Sequence, residues 1–267
     1  MRPSISKFQT DAPFFGCPFC SAALTFAQAS LSCANGHTFD ISRKGYVDLR
    51  KRPSESSHYT DAFFNARLRM MHRGMYSDLV DRLSEVAQHY GPGGTSVDVG
   101  CGDGFITRAL GMTAGIDISL EGIRVAARGG GSVLWACGDG AHLPLVDAAA
   151  AYLLNVFAPS EYSEFSRVCP QGVLIKVVPG EHHMQELRKA IGLPQETHSE
   201  AIALFKEKTT LLYQCDAIQT TVLDSEEERR DVAQMSPVGF DRVAADSGWE
   251  DLENITTHSR ILVGRLP

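Results

Sequence analysis

Two clusters of residues in this sequence have the types and the spacing that chemistry requires. Near the start, CPFC is followed by CANGH, which places Cys17, Cys20, Cys33 and His37 in two short pairs separated by twelve residues. A Cys-x2-Cys pair followed by a Cys-x3-His pair is typical of a tetrahedral zinc site. Four protein ligands leave no open coordination position, so we expect the zinc to be structural. A catalytic zinc or a thioredoxin-like redox pair fits this pattern less well.

The second cluster is rich in glycine. TSVDVGCGDGFITRAL predicts an apolar strand that ends near Asp98 and turns through Gly100, Gly102 and Gly104 into a helix. The dinucleotide-binding pattern requires a third glycine where this chain has Phe105, so NAD(P) is disfavoured. An acidic residue before the turn suits a cationic ligand, and S-adenosylmethionine carries both an ammonium and a sulfonium group. We therefore expect S-adenosylmethionine at this turn.

The elements that position these residues alternate between strand and helix. Asp117 ends the strand in GIDIS, where a carboxylate can accept both ribose hydroxyls, and Asp139 follows SVLWAC, where it can accept the adenine amino group. Further strands are predicted in AAAAYLLNVFAP and PQGVLIKVVP, with a helix between them. This order predicts an α/β fold: a Rossmann-like S-adenosylmethionine-dependent methyltransferase domain, a doubly wound parallel sheet, with a small N-terminal zinc-binding domain. We expect the C-terminal segment to complete the sheet.

Charge is distributed unevenly along the chain. The formal net charge is −7, but residues 1–73 hold ten Lys/Arg and five Asp/Glu, about +5, which leaves about −12 for the remainder. An acidic body repels a polyanion, so phosphate contacts are expected from the basic N-terminal part. The candidate RNA-binding residues are Arg43, Lys44, Arg50, Lys51, Arg52 and Arg67.

A Ser-rich, Pro-containing stretch near residues 50–60 predicts a domain boundary. We assign residues 1–55 to a zinc-binding RNA-recognition domain and 56–267 to the methyltransferase domain. No apolar run approaches the roughly 18 residues of a membrane span, and the N-terminus lacks the apolar region of a secretory signal. The other four cysteines have no pairing pattern, as is usual for reduced thiols. A cytoplasmic protein without a membrane partner is expected.

Further motifs extend over nearly the whole chain. They are the zinc knuckle followed by FDISRKGYVDL, then RGMYSDL, DVGCGDG, NVFAPSEYSEFSRV, VVPGEHHMQELR and QMSPVGF. Together they resemble the bacterial 23S rRNA (guanine-N1)-methyltransferases of the RlmA family. NVFAPSEYSEFSRV and GVLIKVVP are closer to the Gram-positive branch, which is associated with tylosin resistance and thus with antibiotic resistance. The resemblance implies zinc at the four N-terminal ligands, a QMSP corner over the substrate pocket, and cofactor contacts at Tyr76, Gly102, Asp103, Asp117 and His183.

The resemblance also implies methylation of N1 of a guanine in a hairpin loop of 23S rRNA. This nitrogen lies on the Watson–Crick edge and carries a proton, so the base must be unpaired and its proton removed. Glu181 and His182, beside His183, are the candidate bases. Exocyclic-amine methyltransferases carry an (Asp/Asn)-Pro-Pro-aromatic loop, and the stretch 155–159 departs from it, in agreement with a ring-nitrogen target. The expected partners are a 23S rRNA hairpin and, in a homodimer, a second copy of the chain.

Two other functions fit parts of the sequence. A small-molecule methyltransferase of the same fold is one, because a fold does not determine the acceptor, but the zinc cluster and the charge distribution favour RNA. The other is a non-catalytic zinc-dependent RNA-binding protein. The intact glycine turn with its carboxylates argues against it.

Overall fold

The computed structural model describes residues 2–11, 14–52, 59–237 and 248–267. The predicted linker at 53–58 and the VGF end of the QMSPVGF motif lie outside these residues. Of the helices described, none is long and apolar enough to cross a membrane.

Eleven strands and ten helices make up the described part of the chain. The strands are β1 Leu24–Ala27, β2 Ser30–Cys33, β3 Thr38–Asp40, β4 Tyr46–Asp48, β5 Ser96–Val99, β6 Ala114–Asp117, β7 Leu134–Cys137, β8 Tyr152–Val156, β9 Val173–Pro179, β10 Thr210–Val222 and β11 Asn254–Arg265. The helices are α1 Pro3–Ser6, α2 Phe8–Asp11, α3 Asp61–His72, α4 Ser77–Tyr90, α5 Phe105–Ala109, α6 Leu120–Arg128, α7 Tyr162–Val168, α8 Gln185–Ala190, α9 Ser199–Lys208 and α10 Glu226–Gln234.

Eight strands form one sheet in the order β10-β11-β9-β8-β5-β6-β7-β4. The strands from β4 to β9 pair in parallel, and β10 and β11 add an antiparallel hairpin at one side. Every residue of β5 and β7 is buried, as expected for parallel strands covered by helices on both faces. The predicted Rossmann-like α/β fold is confirmed, and the C-terminal segment completes the sheet.

The N-terminal part is joined to this sheet more closely than the sequence predicts. Strands β1 to β3 form a separate three-stranded sheet, but β4 pairs in parallel with β7, with Val47 opposite Ala136. Phe15 bridges to Leu145, and both side chains belong to one apolar core that includes residues from β5 and β8. The division at residue 55 therefore stays a prediction, because the two parts share a core and a sheet.

A capping residue and two arginines, one in α3 and one just after it, fix the position of this helix. Thr60 caps its N-terminus by accepting the Phe63 amide, 3.2 Å away. Arg69 pairs with Asp231 of α10 at 2.5 Å, and Arg73 reaches Glu228 at 2.8 Å. These two guanidinium groups thus join α3 to the acidic helix α10.

Gly104 is required by packing beneath the glycine turn. Its φ is +71°, and a Cβ there would lie 2.5 Å from the buried Trp135 ring. We expect Gly104→Ala to lower the free energy of unfolding by about 3 kcal/mol, through backbone strain and overpacking. Gly111→Ala is the control, because Gly111 has φ +61° with nothing within 4 Å, and it should cost about 1 kcal/mol. Equal losses in urea unfolding would contradict this account.

Candidate functional site

The four predicted zinc ligands meet at one point. The donor atoms of Cys17, Cys20, Cys33 and His37 all lie within 4.8 Å of one another. The His37 Nδ1 is 3.4 to 3.6 Å from the three sulfurs, and the sulfurs of Cys20 and Cys33 are 3.7 Å apart. Zinc bonds of about 2.3 Å to sulfur and 2.0 Å to nitrogen give tetrahedral edges of about 3.5 to 3.8 Å. The donor set therefore fits a closed structural zinc site.

A cavity of about 700 Å³ lies outside the carboxyl ends of the parallel strands. Its wall is built by residues in the segments that leave β5, β6, β7, β8 and β9: 99, 100 and 102; 116–119; 138–141; 156–161; and 179, 180, 183 and 184. Helix α3 contributes further lining residues. Because β5 lies between β6 and β8, the chain changes direction across the sheet at this point, where α/β folds bind their ligands.

Asp117 fixes the glycine turn at the cavity wall. One of its carboxylate oxygens accepts the Gly102 amide and the other accepts the Ser119 amide, both at 2.8 Å. Gly102 has φ +54°, and a Cβ there would lie 3.0 Å from the Arg67 guanidinium. The turn therefore presents bare backbone to the cavity, next to a carboxylate and a guanidinium.

The predicted cofactor residues divide into two groups. Six line the cavity: Tyr76, Gly100, Gly102, Asp117, Asp139 and His183. Three do not. Asp98 is 2 % exposed in β5 and accepts the Thr107 hydroxyl, Asp103 is 1 % exposed behind the turn, and Gly104 packs on Trp135. Asp98, Asp103 and Gly104 therefore lie beneath the turn and do not line the cavity, and their direct contact with a cofactor stays a prediction.

Arg67 lies in the cavity and not on an RNA-facing surface. Its guanidinium is 3.1 Å from Asp103, and its side chain is 19 % exposed. Burial opposes its charge, but Asp103 and neighbouring groups raise its pKa above the usual range. Arg67 is thus a fixed cation in the cavity wall, and its role as an RNA-phosphate ligand stays a prediction.

Three aromatic rings meet on the cavity wall. The ring centres of Tyr76, Phe157 and His183 are 5.2 to 6.2 Å apart. Burial lowers the pKa of His183 to about 4, and its Nδ1 lies 3.0 Å from the His258 carbonyl oxygen. The imidazole is therefore neutral near pH 7 and is fixed in place.

The loop after β8 holds Phe157 in an unusual conformation. Phe157 has φ +52°, a left-handed value that is rare for a bulky residue. The Asn155 amide donates to the Val99 and Pro159 carbonyls, and the buried Lys176 ammonium donates to the Asn155 side chain and to the Ala158 carbonyl. Burial lowers the pKa of Lys176 to about 8. This network maintains the strained loop that carries Phe157.

The structure does not place the two predicted bases in the site. Gly180 donates to the His258 carbonyl at 2.7 Å, and the amide of His182 donates to the His258 ring at 3.1 Å. These bonds turn Glu181 and His182 outward, where both are exposed and neither lines the cavity. Their assignment as bases stays a prediction, and this arrangement does not support it.

The predicted RNA-binding residues near β4 lie in three places. Lys51 and Arg52 are exposed just beyond the carboxyl end of β4, at the same sheet edge as the cavity, because β4 is parallel to β7. Arg43 and Lys44 precede β4 and lie at the opposite edge. The Arg50 side chain is 8 % exposed, binds Asp48 through two nitrogens and donates to the Ile118 carbonyl, so it links β4 to the segment after β6. Its contact with RNA stays a prediction.

Sequence reasoning missed several cavity residues. Phe63 and Phe64 reach the cavity from α3, and Arg188, Glu196 and His198 reach it from the α8–α9 region. The apolar spacing of α3 marks Phe64 as buried but not as ligand-facing. The residues implied by the QMSP corner, Met235 to Pro237, do line the cavity.

Comparison with known proteins agrees with this geometry. A family model of the RlmA N-terminal zinc ribbon matches residues 15–50. The 23S rRNA (guanine(748)-N1)-methyltransferase of Streptomyces fradiae is 34 % identical, with 78 % of this chain and 83 % of that protein covered. The chain belongs to the 23S rRNA (guanine-N1)-methyltransferase family. The predicted family and zinc ribbon are thus confirmed.

A second relative supports the same family, and a solved structure supports the fold. A Bacillus subtilis protein named for 23S rRNA (guanine-N1)-methyltransferase activity is 35 % identical, with 74 % of this chain and 76 % of that protein covered. A solved Haloferax volcanii complex of a methyltransferase with the activator Trm112 matches 80 % of this chain and 100 % of the solved chain, with a TM-score of 0.52 at 19 % identity. That likeness concerns the fold alone.

The buried Asp98 of the methyltransferase predicts a pH-dependent stability. Burial raises the pKa of Asp98 from 3.8 to about 7. As pH rises between these values, this carboxyl ionises in the unfolded chain but stays protonated in the folded chain. The contribution of Asp98 to the free energy of unfolding therefore falls, and it is lowest above pH 7. Asp98→Asn removes the ionisation and should raise the free energy of unfolding at pH 8 by up to about 4 kcal/mol.

The gain from Asp98→Asn should shrink steadily as the pH is lowered from 8 to 5. Urea unfolding of both proteins across this range measures it. A gain that does not change with pH would contradict the raised pKa.

Proposed function

We propose that the protein transfers the methyl group of S-adenosylmethionine to N1 of a guanine in 23S rRNA. The observation that carries the proposal is one cavity, at the carboxyl edge of a methyltransferase sheet, that adjoins a basic segment next to a zinc ribbon. The activities named for the relatives in Streptomyces fradiae and Bacillus subtilis support the same reaction. This substrate also favours a cytoplasmic location.

The end of the cavity at β5, β6 and β7 fits the adenosine part of the donor. Each Asp117 oxygen accepts one amide and keeps a lone pair for a ribose hydroxyl. Asp139 is half exposed in the wall after β7, where its carboxylate can accept the adenine amino group. The bare Gly102 backbone allows the ligand to approach closely.

Arg67 fits the methionine carboxylate of the donor. The guanidinium lies beside Gly102, one of its nitrogens is 3.1 Å from Asp103, and the residue lines the cavity. A buried cation that already has a fixed partner is preorganised for a second anion. Arg67 thus completes a site that takes a ligand with both cationic and anionic groups.

The protein's contribution to the reaction is mainly alignment and exclusion of water. When bound, S-adenosylmethionine supplies a methyl group already activated by a sulfonium. The loop 155–160 and the Tyr76, Phe157 and His183 rings would hold the acceptor base against that methyl group. Phe157 offers a face on which a flipped purine can stack.

The basic segment after β4 fits the RNA. Lys51 and Arg52 emerge at the cavity edge, so they can bind phosphates of the strand whose base enters the cavity. A hairpin loop suits this arrangement, because its bases are unpaired and can be turned out without breaking a duplex. The hairpin and a homodimer stay predictions of this proposal.

Methyl transfer to purified transcripts tests the proposed function. We expect labelled methyl groups from S-adenosylmethionine to enter an unmodified 23S rRNA transcript and not a 16S rRNA transcript. Primer extension should stop at one guanine, because a methyl on N1 blocks Watson–Crick pairing. Labelling of small molecules only, or of 16S rRNA, would contradict the proposal.

Arg67→Met tests the carboxylate contact. We expect it to weaken S-adenosylmethionine binding by about tenfold or more, because a charge-assisted hydrogen bond is lost. Calorimetry with methylthioadenosine, which lacks the amino-acid part, should show unchanged affinity and so prove the variant folded. Arg69→Met, on the same helix but facing Asp231, is the control. Equal weakening of both ligands would contradict the assignment.

A matched pair of double variants tests the RNA contact. Lys51→Ala/Arg52→Ala and Arg43→Ala/Lys44→Ala remove the same charge from opposite sheet edges. We expect the first to weaken binding of 23S rRNA fragments and reduce the salt slope by up to about 2, while the second has little effect. Filter binding across salt concentrations measures both. Identical slopes for the two variants would contradict this placement.

A further inference from the structure

A second charged cluster lines the cavity on the β9 side, away from Asp117. Arg188 of α8 is 7 % exposed, donates to the Pro194 carbonyl at 3.0 Å and lies 2.8 Å from Oε2 of Glu196. The ring nitrogen Nε2 of His198 is 3.8 Å from the same oxygen. All three side chains line the cavity.

The cluster lies at the end where the acceptor base must enter. Sheet order places β8 and β9 on one side of β5, and the ribose and adenine carboxylates on the other, after β6 and β7. Phe157 follows β8, which lies between β5 and β9 in the sheet, and its ring centre is 6.0 Å from that of Tyr76 and 5.2 Å from that of His183. A donor bound over Asp117 and Asp139 therefore leaves the Glu196 end free for the acceptor.

Two other groups that line this part of the cavity have local roles. Glu161 accepts the amide and the hydroxyl of Ser163 through its Oε1, as the cap of α7. His183 is fixed against the His258 backbone. Glu196 differs from Glu161 in being paired with a buried arginine: it is 58 % exposed, and within the described part of the chain only its Oε2 has a partner.

We propose that Glu196 accepts the N1 proton of the target guanine, within a subsite for the purine Watson–Crick edge that it forms with Arg188. This inference rests on the proposed function. Guanine presents two adjacent donors on this edge, N1–H and the N2 amino group, and a carboxylate accepts both in parallel. The free Oε1 of Glu196 supplies the acceptor for the N1 proton.

The reaction balances with this single acceptor. The Glu196 carboxylate takes the proton from N1, and the electron pair left on N1 forms the bond to the methyl carbon. The carbon–sulfur bond breaks and its electron pair returns to sulfur, which becomes a neutral thioether. The products are neutral N1-methylguanine and a protonated Glu196, which returns its proton to water.

The charges around Glu196 favour this transfer. Proton transfer moves the negative charge from the carboxylate to the purine N1 and O6. A guanine held on Oε1 of Glu196 would develop that charge beside Arg188, which lies 2.8 Å from Oε2. Burial lowers the pKa of His198, so the ring beside Glu196 is neutral near pH 7. Lys176 of β9 adds a more distant positive charge that faces His198.

The test compares Glu196→Gln with Glu200→Gln in methyl transfer to 23S rRNA. Glu200 lies four residues further on, is exposed and does not line the cavity. We expect Glu196→Gln to lower kcat by about 100-fold or more at pH 7, because a general base is lost. Its affinity for S-adenosylmethionine should stay within twofold, which also shows that it folds. Glu200→Gln should match the unchanged protein.

The pH profile separates proton removal from a structural role. In Glu196→Gln the rate should rise about tenfold per pH unit above neutrality, because ionisation of the guanine itself then supplies the nucleophile. A structural defect would lower the rate equally at every pH. That outcome, or a kcat within threefold of the unchanged protein, would overturn the proposal.

A further variant identifies the competing base. If His198→Gln, and not Glu196→Gln, shows the large loss and the pH-dependent recovery, the proton acceptor is His198 and the proposal is wrong. Failure of the proposed function gives a different result: the unchanged protein itself would then transfer no methyl group to 23S rRNA.

Discussion

The whole site depends on one constraint: the carboxyl ends of parallel strands face the same edge of the sheet. Strands β5 to β9 each end at this edge, and the segments that follow them build one cavity. Because β6 and β8 lie on opposite sides of β5, the segments that follow these strands diverge, and the space between them can hold a ligand. In the glycine turn after β5, only backbone atoms limit how closely a ligand can approach. Asp117 anchors that turn by accepting two backbone amides.

Two sets of fixed charges make the two ends of the cavity chemically different. Arg67 and the carboxylates after β6 and β7 suit a donor with groups of both signs, whereas Arg188 and Glu196 lie beyond β9. The loop that carries Phe157 separates the two sets. Its left-handed backbone costs free energy, which the Asn155 and Lys176 hydrogen bonds offset. The strained backbone is thus at the residue whose ring we propose to hold the acceptor base.

Much of this arrangement could be predicted from the sequence, because local patterns encode it. The zinc ligands follow from their spacing, and the sheet follows from the alternating strands and helices. Contacts over long sequence distances could not be predicted. The pairing of β4 with β7 joins residues some ninety positions apart, and Arg67 meets Asp103 only after folding. Basic residues therefore looked equivalent in the sequence, although Arg50 and Arg67 are partly buried in ion pairs while Lys51 and Arg52 are exposed.

The N-terminal zinc ribbon and the large sheet act as one unit through β4, which carries the basic segment to the cavity edge. The central claim is that this cavity has a donor end and an acceptor end. A crystal structure with bound S-adenosylhomocysteine tests it most directly. The account predicts the ribose on Asp117, the carboxylate on Arg67 and the sulfur directed towards the Glu196 end. A ligand bound in the opposite direction, or outside the cavity, would contradict it.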